Sequence, residues 1–337
     1  MKAVVLRGRH DLALEDVERP KCGRDQALVR VTNSGICGTD LKIYDGSIPV
    51  RYPLIMGHEI SGEVVAGGDD RIRAGDRVLI DPCLSCGRCM NCRVGQTNLC
   101  GNGGLVGRDS NGGFAEYFLA PLTQVYALPK AVESEKAPLI QVLTTCIHAQ
   151  RFLDIFPGQS VVVVGLGVTG QLHVQLAKAH GAHPVVGVTR SAWKRQLATE
   201  LGADLTLASG AEAVRGVLDA TNGRGGDVVI VSTDALPAIA DGILMCRPGA
   251  TFSLFGVTTA TENKLPLYQL YYKELRIFNS RAARAEDFAI AIDLVARGVV
   301  KLGPLVTHTL PLADLSSALH MLETDQDHRM KIILDHH

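Results

Sequence analysis

A run of four valines that leads directly into a glycine-spaced turn restricts the fold of this chain more than any other feature. The stretch SVVVVGLGVTG covers residues 160–170 and supplies Gly165, Gly167, Val168, Thr169 and Gly170 as candidate cofactor-binding residues. A strand precedes the turn and an amphipathic helical pattern follows it, which is the context that G-x-G-x-x-G requires. The stretch predicts a dinucleotide site at a helix N-terminus; a glycine-rich turn without a ligand is the alternative.

The same alternation of apolar runs and helical patterns continues after the turn, while a different texture precedes it. PVVGVT, DVVIVS and TFSLFG are Val/Ile/Phe-rich runs separated by helical patterns, which predicts a doubly wound parallel sheet covered on both faces. Before residue 140, short runs such as KAVVL and ISGEVVA alternate with Gly, Asp and Pro turns, which indicates an antiparallel barrel or sandwich. A chain of 337 residues is long enough for two such domains.

The strand after the glycine turn indicates which dinucleotide is bound. It ends VVGVTRSAWKR, and the position where an NAD site places Asp or Glu holds Thr189, followed by Arg190 and Ser191. No carboxylate is present there to repel a 2′-phosphate, whereas a guanidinium and two hydroxyl groups can bind one. The pattern favours NADP(H). NAD(H) is the alternative, in which case Arg190 stacks over adenine or faces solvent.

Charge and hydropathy argue against several kinds of partner. The formal net charge is −1, with acidic and basic residues interleaved, so we expect no nucleic-acid partner and no basic membrane patch. The first apolar run is too short for a signal-peptide core, and no later stretch approaches the length of a membrane span. We therefore expect a cytoplasmic protein, in which a tight cluster of cysteines binds a metal rather than forming disulfides.

Four of the nine cysteines fall in one short lobe and can close a metal site by themselves. Cys86, Cys89, Cys92 and Cys100 follow the spacing C-x2-C-x2-C-x7-C and supply four thiolates for a tetrahedral zinc. A closed site has no position for a substrate, so we expect this zinc to be structural. The alternative, an iron–sulfur or redox cluster, has no evident electron route. Cys83 lies outside the spacing and is interpreted as a bystander.

Four stretches together resemble the zinc-dependent medium-chain dehydrogenase/reductase superfamily over nearly the whole chain. They are ICGTDLKIYDG (36–46), GHEISGEV (57–64), CGRCMNCRVGQTNLC (86–100) and VVVVGLGVTG (161–170), and the pattern is most similar to the polyol, sugar and threonine dehydrogenases. The resemblance implies a GroES-like β-barrel catalytic domain and a Rossmann cofactor domain. On this basis we expect the catalytic domain at 1–143 with its zinc lobe at 83–100, the Rossmann domain at 144–285, and a returning C-terminal segment at 286–337.

The resemblance also implies a second, catalytic zinc in the first domain. Cys37 and His58 would hold the metal, and Glu59 would be an exchangeable ligand or a neighbouring carboxylate. Asp40 would orient the imidazole of His58, and Thr39 would accept the substrate proton. Without the resemblance, Cys37 reads as a small buried hydrophobe and His58 as a core histidine.

Two positions depart from the pattern of the family. Gln141 occurs where relatives commonly place a third zinc ligand, Cys or Glu, and a neutral amide is a weaker donor. It could bind through a water, or Glu59 could replace it. Lys42 occurs where many relatives have a proton-relaying histidine, and we interpret it as solvated or cofactor-contacting.

These features predict a zinc-dependent oxidoreductase that transfers a hydride between a secondary alcohol and a nicotinamide cofactor. The expected substrate is a polyol, sugar or aminocyclitol, and the expected complement is two Zn²⁺ per chain. One alternative is an NADPH-dependent ketone reductase of a biosynthetic pathway. Another is a catalytically weak dinucleotide-binding protein in which Gln141 marks the loss of the reactive zinc. The resemblance further implies a homodimer or homotetramer.

Overall fold

A computed structural model of the chain describes residues 1–258, 265–325 and 327–337. These residues form two compact units. The first unit comprises Met1–Thr144, Ala282–Gly298 and Leu302–His337, and the second comprises Thr145–Arg281 and Val299–Lys301. The first unit is therefore assembled from both ends of the chain, with the second unit inserted between them in sequence.

Short strands dominate the first 150 residues, as the alternation of apolar runs and turns predicts. The strands are β1 (Lys2–Gly8), β2 (Asp11–Asp16), β3 (Gln26–Gly35), β4 (Leu54–Ile55), β5 (Glu59–Gly67), β6 (Arg77–Ile80), β7 (Cys83–Leu84), β8 (Gly104–Leu105), β9 (Tyr117–Pro121) and β10 (Val125–Ala127). The helices are α1 (Gly38–Tyr44), α2 (Met90–Arg93) and α3 (Pro138–Gln150), the last of which contains the boundary between the units.

The second unit alternates strands and helices. Its strands are β11 (Val161–Val164), β12 (Val185–Val188), β13 (Leu205–Leu207), β14 (Gly226–Val231), β15 (Cys246–Leu254) and β16 (Arg276–Phe278). Its helices are α4 (Val168–Ala179), α5 (Ala192–Glu200), α6 (Ala211–Ala220), α7 (Leu236–Met245) and α8 (Leu267–Tyr272). The strand order is β13-β12-β11-β14-β15-β16, and all neighbours are parallel. This is the order of a doubly wound Rossmann sheet, which confirms the prediction.

The valine run forms β11, a central strand of this sheet, and its side chains are buried alternately on the two faces. Val162 and Val164 belong to the core cluster on one face, and Val161 and Val163 belong to the cluster on the other. A strand that must be apolar on both faces cannot alternate with polar residues, so it reads as a continuous run. The glycine turn that follows it is thereby fixed at the carboxyl edge of the sheet, where doubly wound folds bind ligands.

The chain then returns to the first unit with α9 (Ala285–Ala296), β17 (Val306–Pro311), α10 (Leu315–Thr324) and β18 (Lys331–Asp335). The main sheet of the first unit has the order β10-β6-β5-β3-β18-β17, with β9 also paired to β3. Strand β3 is antiparallel to β5, β9 and β18, as expected of the GroES-like barrel. The β17–β18 pair is parallel instead, because α10 makes the crossover that parallel neighbours need.

The register of β3 brings the last strand of the chain to the beginning of β5. Gly35, at the end of β3, lies opposite Glu59 of β5 on one side and opposite Ile333 of β18 on the other. Residues near the C-terminus are thus held against the region that precedes Cys37 in the chain. Among the described residues, no helix has both the length and the apolar character needed to cross a bilayer.

Candidate active site and metal centres

Cys37 is positioned by the beginning of helix α1. It is the N-cap residue, with an extended backbone (φ −118°, ψ 159°), and its amide donates a 2.8 Å hydrogen bond to Oδ2 of Asp40 at the third helical position. An N-cap and an acidic residue three positions later satisfy free amide groups at a helix start. The sequence CGTD therefore fixes the backbone of Cys37 at the start of α1 through local hydrogen bonding.

His58 comes from a sharp turn before β5. Gly57 has φ +92°, and a Cβ at this position would lie 2.5 Å from the ring of Phe114, so the turn requires glycine. The Nδ1 atom of His58 lies 3.5 Å from Oδ1 of Asp40, and His58 is 5% exposed. Asp40 therefore lies beside both Cys37 and His58, and its role as the carboxylate that orients the imidazole stays a prediction.

Cys37, His58 and Glu59 bring one sulfur, one ring nitrogen and one carboxylate oxygen within 4.8 Å of one another. Thiolate, imidazole and carboxylate are the donors that zinc prefers in proteins. Burial opposes ionisation of Cys37, but the hydrogen bond and charge of His58 outweigh it, so the pKa of the Cys37 thiol lies below its usual value. The cluster thus favours the thiolate, which is the form that binds a metal.

Glu59 also makes an ion pair that the sequence interpretation did not anticipate. The ammonium of Lys331, on β18, lies 2.5 Å from the carboxylate of Glu59 and donates a 2.9 Å hydrogen bond to the carbonyl of Ile36. Both side chains are buried. A single lysine inside the apolar strand KIILD was the available signal, because a charge at a core position needs a partner.

The remaining predicted residues of this site lie in the same unit. The hydroxyl of Thr39 lies 3.9 Å from the sulfur of Cys37. Lys42 is half-buried on the same helix, α1. Gln141 is buried in the first part of α3, and its backbone carbonyl accepts a 2.6 Å hydrogen bond from the hydroxyl of Thr144. Its role as a zinc ligand remains a prediction.

The cysteine lobe forms a second cluster of candidate ligands. The sulfur atoms of Cys86, Cys89, Cys92 and Cys100 all lie within 4.8 Å of one another. Cys89 is 3.5 Å from Cys92 and 3.8 Å from Cys100, close to the about 3.8 Å between thiolates that share a tetrahedral zinc. Amide donors from Arg88 and Cys89 lower the pKa of Cys86 to about 6, which favours its thiolate.

Cys83 is not a member of this cluster. It lies in β7, where its amide donates a 2.8 Å hydrogen bond to Oδ1 of Asp81, and its sulfur lies 4.0 Å from the carbonyl of Ala283. Burial raises the pKa of Asp81 to about 6. Cys83 therefore lies beside a carboxyl group and a backbone carbonyl, outside the cluster of four sulfur atoms.

The glycine turn of the second unit is tight and packs closely against the helix that follows it. Gly165 has φ +92°, and Gly167 is the N-cap of α4. A Cβ on Gly170 would lie 1.9 Å from the carbonyl oxygen of Gly165, so helix and turn approach each other closely enough to exclude any side chain. The hydroxyl of Thr169 lies 2.6 Å from that of Ser232, at the carboxyl end of β14.

The loop after β12 is held by an arginine that sequence reasoning missed. Nη1 of Arg195 donates hydrogen bonds of 2.9 Å to the carbonyl of Thr189 and 2.7 Å to the carbonyl of Arg190. Ser191 is the N-cap of α5, and the side chain of Arg190 is exposed. The signal was the spacing, since Arg195 follows Ser191 by one helical turn and so faces back towards the loop.

A doubly wound sheet with this glycine turn, and a barrel unit with a Cys–His–Glu cluster, define the class of zinc-dependent dehydrogenases. Two family models match the chain, "Alcohol dehydrogenase GroES-like domain" over residues 23–130 and "Zinc-binding dehydrogenase" over residues 168–297. The sorbitol dehydrogenase of Halalkalibacterium halodurans is 30% identical over 341 residues, which covers 99% of both chains.

Solved structures agree with this assignment. A Sinorhizobium meliloti 1021 protein, described as a zinc-binding dehydrogenase and bound to NADP, superposes with a TM-score of 0.91 at 31% identity over 99% of both chains. A protein from Escherichia coli CFT073, described as a short chain alcohol dehydrogenase (RspB) and complexed with NADH, gives a TM-score of 0.92 at 28% identity, covering 100% of this chain and 99% of that one.

The chain belongs to the zinc-dependent medium-chain dehydrogenase/reductase family, in its polyol dehydrogenase-like branch. It is an oxidoreductase of the alcohol dehydrogenase type, which acts on small-molecule alcohols with a nicotinamide cofactor. The resemblance predicted from the sequence, its fold class and the enzyme class are thereby confirmed.

Proposed function

We propose that the enzyme interconverts a secondary alcohol of a polyol, sugar or aminocyclitol and the corresponding ketone at a zinc held by Cys37 and His58, with Glu59 as an exchangeable donor. The observation that carries the proposal is the approach of one sulfur, one imidazole nitrogen and one carboxylate oxygen to within 4.8 Å, with His58 and Glu59 buried and Cys37 half-buried. Three protein donors leave a position for substrate, which distinguishes a catalytic zinc site from a closed structural one.

The residues of the site fit a zinc ion in donor type, since a thiol, an imidazole and a carboxylate are brought together. Zinc, when bound there, supplies a Lewis acid that makes the substrate hydroxyl more acidic. Cys37 contributes the thiolate that its lowered pKa favours. Because Nδ1 of His58 lies 3.5 Å from Oδ1 of Asp40, we assign the other ring nitrogen as the one that would bind the metal.

We assign the proton of the substrate hydroxyl to Thr39. Its hydroxyl lies 3.9 Å from the sulfur of Cys37, in the first turn of α1, so it is close to the proposed metal position. A hydroxyl group both accepts and donates, which is what a relay position needs. Lys42, three residues further along α1, is kept as a solvated or cofactor-contacting residue, and Gln141 as a weak amide donor that binds directly or through a water.

A second zinc is proposed at Cys86, Cys89, Cys92 and Cys100. The support is the mutual distance of the four sulfur atoms. Four thiolates leave no open position, so this metal stabilises the lobe and takes no part in turnover. The lobe carries exposed apolar side chains at Met90 and Val94, which agrees with a segment that its own packing holds weakly.

For the cofactor we propose a preference for NADP(H) over NAD(H), bound through Gly165, Gly167, Val168, Thr169 and Gly170. The support is the loop after β12, where Thr189 replaces the usual carboxylate and the Arg190 side chain is exposed. Arg195 donates hydrogen bonds to the carbonyls of Thr189 and Arg190 and so holds this loop in place. The guanidinium of Arg190 and the hydroxyl of Ser191 can then bind a 2′-phosphate.

A homodimer or homotetramer is proposed from the surface of the second unit. Strand β16 is at one edge of its sheet, and neighbouring apolar side chains are exposed, with Tyr271 82% exposed. Those side chains are Leu267, Tyr268, Tyr271, Tyr272 and Ile277. An exposed strand edge beside an apolar surface is a site where proteins pair, and a second copy of this chain offers the same edge.

The NADP(H)-binding pattern also favours a second candidate, reduction of a ketone by the same site. The two candidates share residues and differ in direction. A screen of polyols, sugars and aminocyclitols with NADP and NAD, and of their ketones with NADPH and NADH, tests both after zinc has been counted. We expect oxidation of at least one vicinal diol or cyclitol with NADP. Cofactor binding without turnover of any alcohol or ketone would contradict the proposal and leave a dinucleotide-binding protein.

A further inference from the structure

The carboxylate of Glu59 lies between two cationic positions. One of its oxygens is within 4.8 Å of the Cys37 and His58 donor atoms, where the zinc is proposed, and the ammonium of Lys331 lies 2.5 Å from the same carboxylate. Glu59 is fully buried, so its charge needs partners within the protein. A carboxylate in this position divides its negative charge between the lysine and the metal.

The lysine is held in place independently of Glu59. Its ammonium donates a 2.9 Å hydrogen bond to the carbonyl of Ile36, and its strand β18 pairs with β3 over the adjoining residues. Ile36 directly precedes Cys37, so the lysine is anchored to the segment that carries a metal donor. Two charged groups that are buried and hydrogen-bonded keep a defined geometry, because any departure leaves a charge unpaired in a medium of low dielectric constant.

Gly35 provides the space for this pair. A Cβ at Gly35 would lie 2.0 Å from Oε2 of Glu59 and 2.9 Å from Cε of Lys331. The residue lies in strand β3 and pairs with Glu59 itself, so the requirement for glycine there comes from the two side chains and not from the backbone. The end of β3 is thus shaped around the Glu59–Lys331 pair.

We propose that Lys331 is a positioning residue that restrains Glu59 and thereby keeps one coordination position of the reactive zinc available to substrate. The inference rests on the proposed zinc site at Cys37 and His58. A free carboxylate beside Zn²⁺ would bind it tightly and occupy the position that an alcohol needs, since carboxylates are strong zinc donors. Neutralised by the ammonium, Glu59 is a weaker donor that can be exchanged.

Cobalt substitution tests this, because the visible spectrum of Co²⁺ reports the number and type of its ligands without turnover. We compare the wild type with Lys331→Met, using imidazole as a probe of the open position. Lys331→Met is expected to bind Co²⁺ at the reactive site about tenfold more tightly. Its spectrum should respond to imidazole only at much higher concentrations than that of the wild type.

Two further variants separate the role of Glu59 from a general loss of charge. Lys331→Met/Glu59→Gln removes the free carboxylate and is expected to restore the response to imidazole. Lys178→Met removes another lysine–carboxylate pair, with Asp204, in the second unit, and should leave the spectrum unchanged. A Lys331→Met protein with the cobalt affinity and imidazole response of the wild type overturns the proposal.

A second measurement applies where Lys331→Met does not fold. Glu59→Gln alone should keep the cobalt affinity of the wild type within a factor of a few, because the restrained carboxylate contributes little to the metal. Loss of cobalt from Glu59→Gln would make Glu59 a permanent ligand and overturn the proposal. A wild type that takes up cobalt only in the four-cysteine lobe would instead refute the proposed zinc at Cys37 and His58.

Discussion

Nδ1 of His58 lies 3.5 Å from Oδ1 of Asp40, and the other oxygen of the same carboxylate accepts a 2.8 Å hydrogen bond from the amide of Cys37. One buried carboxylate therefore lies against two residues that are proposed to hold the reactive zinc. Because the three residues come from the N-terminus of α1 and the turn before β5, the site depends on the packing of these two elements.

Asp40→Asn is expected to weaken metal binding at the reactive site by about 10- to 100-fold, with a corresponding loss of kcat. The amide keeps the shape of the carboxylate but loses the charge that orients His58. Competition with a chelator, followed by metal analysis, measures the affinity. Asp45→Asn, at the end of the same helix and hydrogen-bonded to the amide of Ser47, is the matched control and should keep the metal. An unchanged affinity in Asp40→Asn would remove the orienting role.

Cys89→Ser and Cys83→Ser are expected to differ although both lie in the cysteine-rich segment. Cys89→Ser should lose one zinc and about 2 kcal/mol or more of stability, which lowers Tm by several degrees, since it opens a closed metal site. Cys83→Ser should keep both zincs. Thermal unfolding and metal content measure the two effects. If Cys83→Ser also lost a zinc, the four-ligand assignment would be wrong.

Thr189→Asp is expected to change the cofactor preference from NADP towards NAD. A carboxylate at this position repels a 2′-phosphate and binds a ribose 2′-hydroxyl, so the ratio of kcat/KM values should move by at least about tenfold. Thr199→Asp, near the exposed end of α5, adds the same charge elsewhere and serves as the control. Equal cofactor kinetics in wild type and Thr189→Asp would refute the 2′-phosphate assignment.

His173 makes the stability of the second unit dependent on pH. It is fully buried on α4, where Nε2 of Gln150 lies 3.1 Å from its Nδ1, and burial lowers the pKa of His173 to about 3. The unfolded histidine has a pKa of about 6.5, so the folded state is favoured above that pH and loses stability as the pH falls towards 3. The free energy of unfolding of the wild type should therefore fall by about 1 kcal/mol more than that of His173→Gln between pH 6.5 and 5.5.

Urea unfolding at the two pH values measures this difference. His320→Gln, at an exposed position, should follow the wild type. An equal loss of unfolding free energy in the wild type and His173→Gln between the two pH values would contradict the assignment of a neutral, buried imidazole.

The sequence predicted the parts of the molecule that are local in the chain. The valine run and its glycine turn identify the central strand of the parallel sheet, because burial on both faces and close backbone approach both restrict residue type. The four-cysteine lobe is similarly local. The resemblance to a family supplied Cys37, His58 and Glu59, whose spacing alone does not identify a site.

What the sequence did not predict depends on contacts between distant segments. Lys331 reaches Glu59 across 272 residues, and no pattern near either residue encodes the pairing of β18 with β3. Arg195 was missed because the hydrogen bonds it donates go to backbone carbonyls, which have no sequence signature. The parallel pairing of β17 with β18 was not predicted either, because it depends on the crossover through α10 and lies beyond the segment before residue 140 for which the sequence indicated antiparallel strands.

The proposed function requires two zincs with separate roles, the reactive one at Cys37 and His58. Metal content and turnover of wild type and Cys37→Ser, measured on the same samples together with Tm, test it most directly. We expect two zincs in the wild type. In Cys37→Ser we expect one zinc, no turnover and a nearly unchanged Tm. A Cys37→Ser protein that keeps both zincs, or that turns over alcohol at the rate of the wild type, would contradict it.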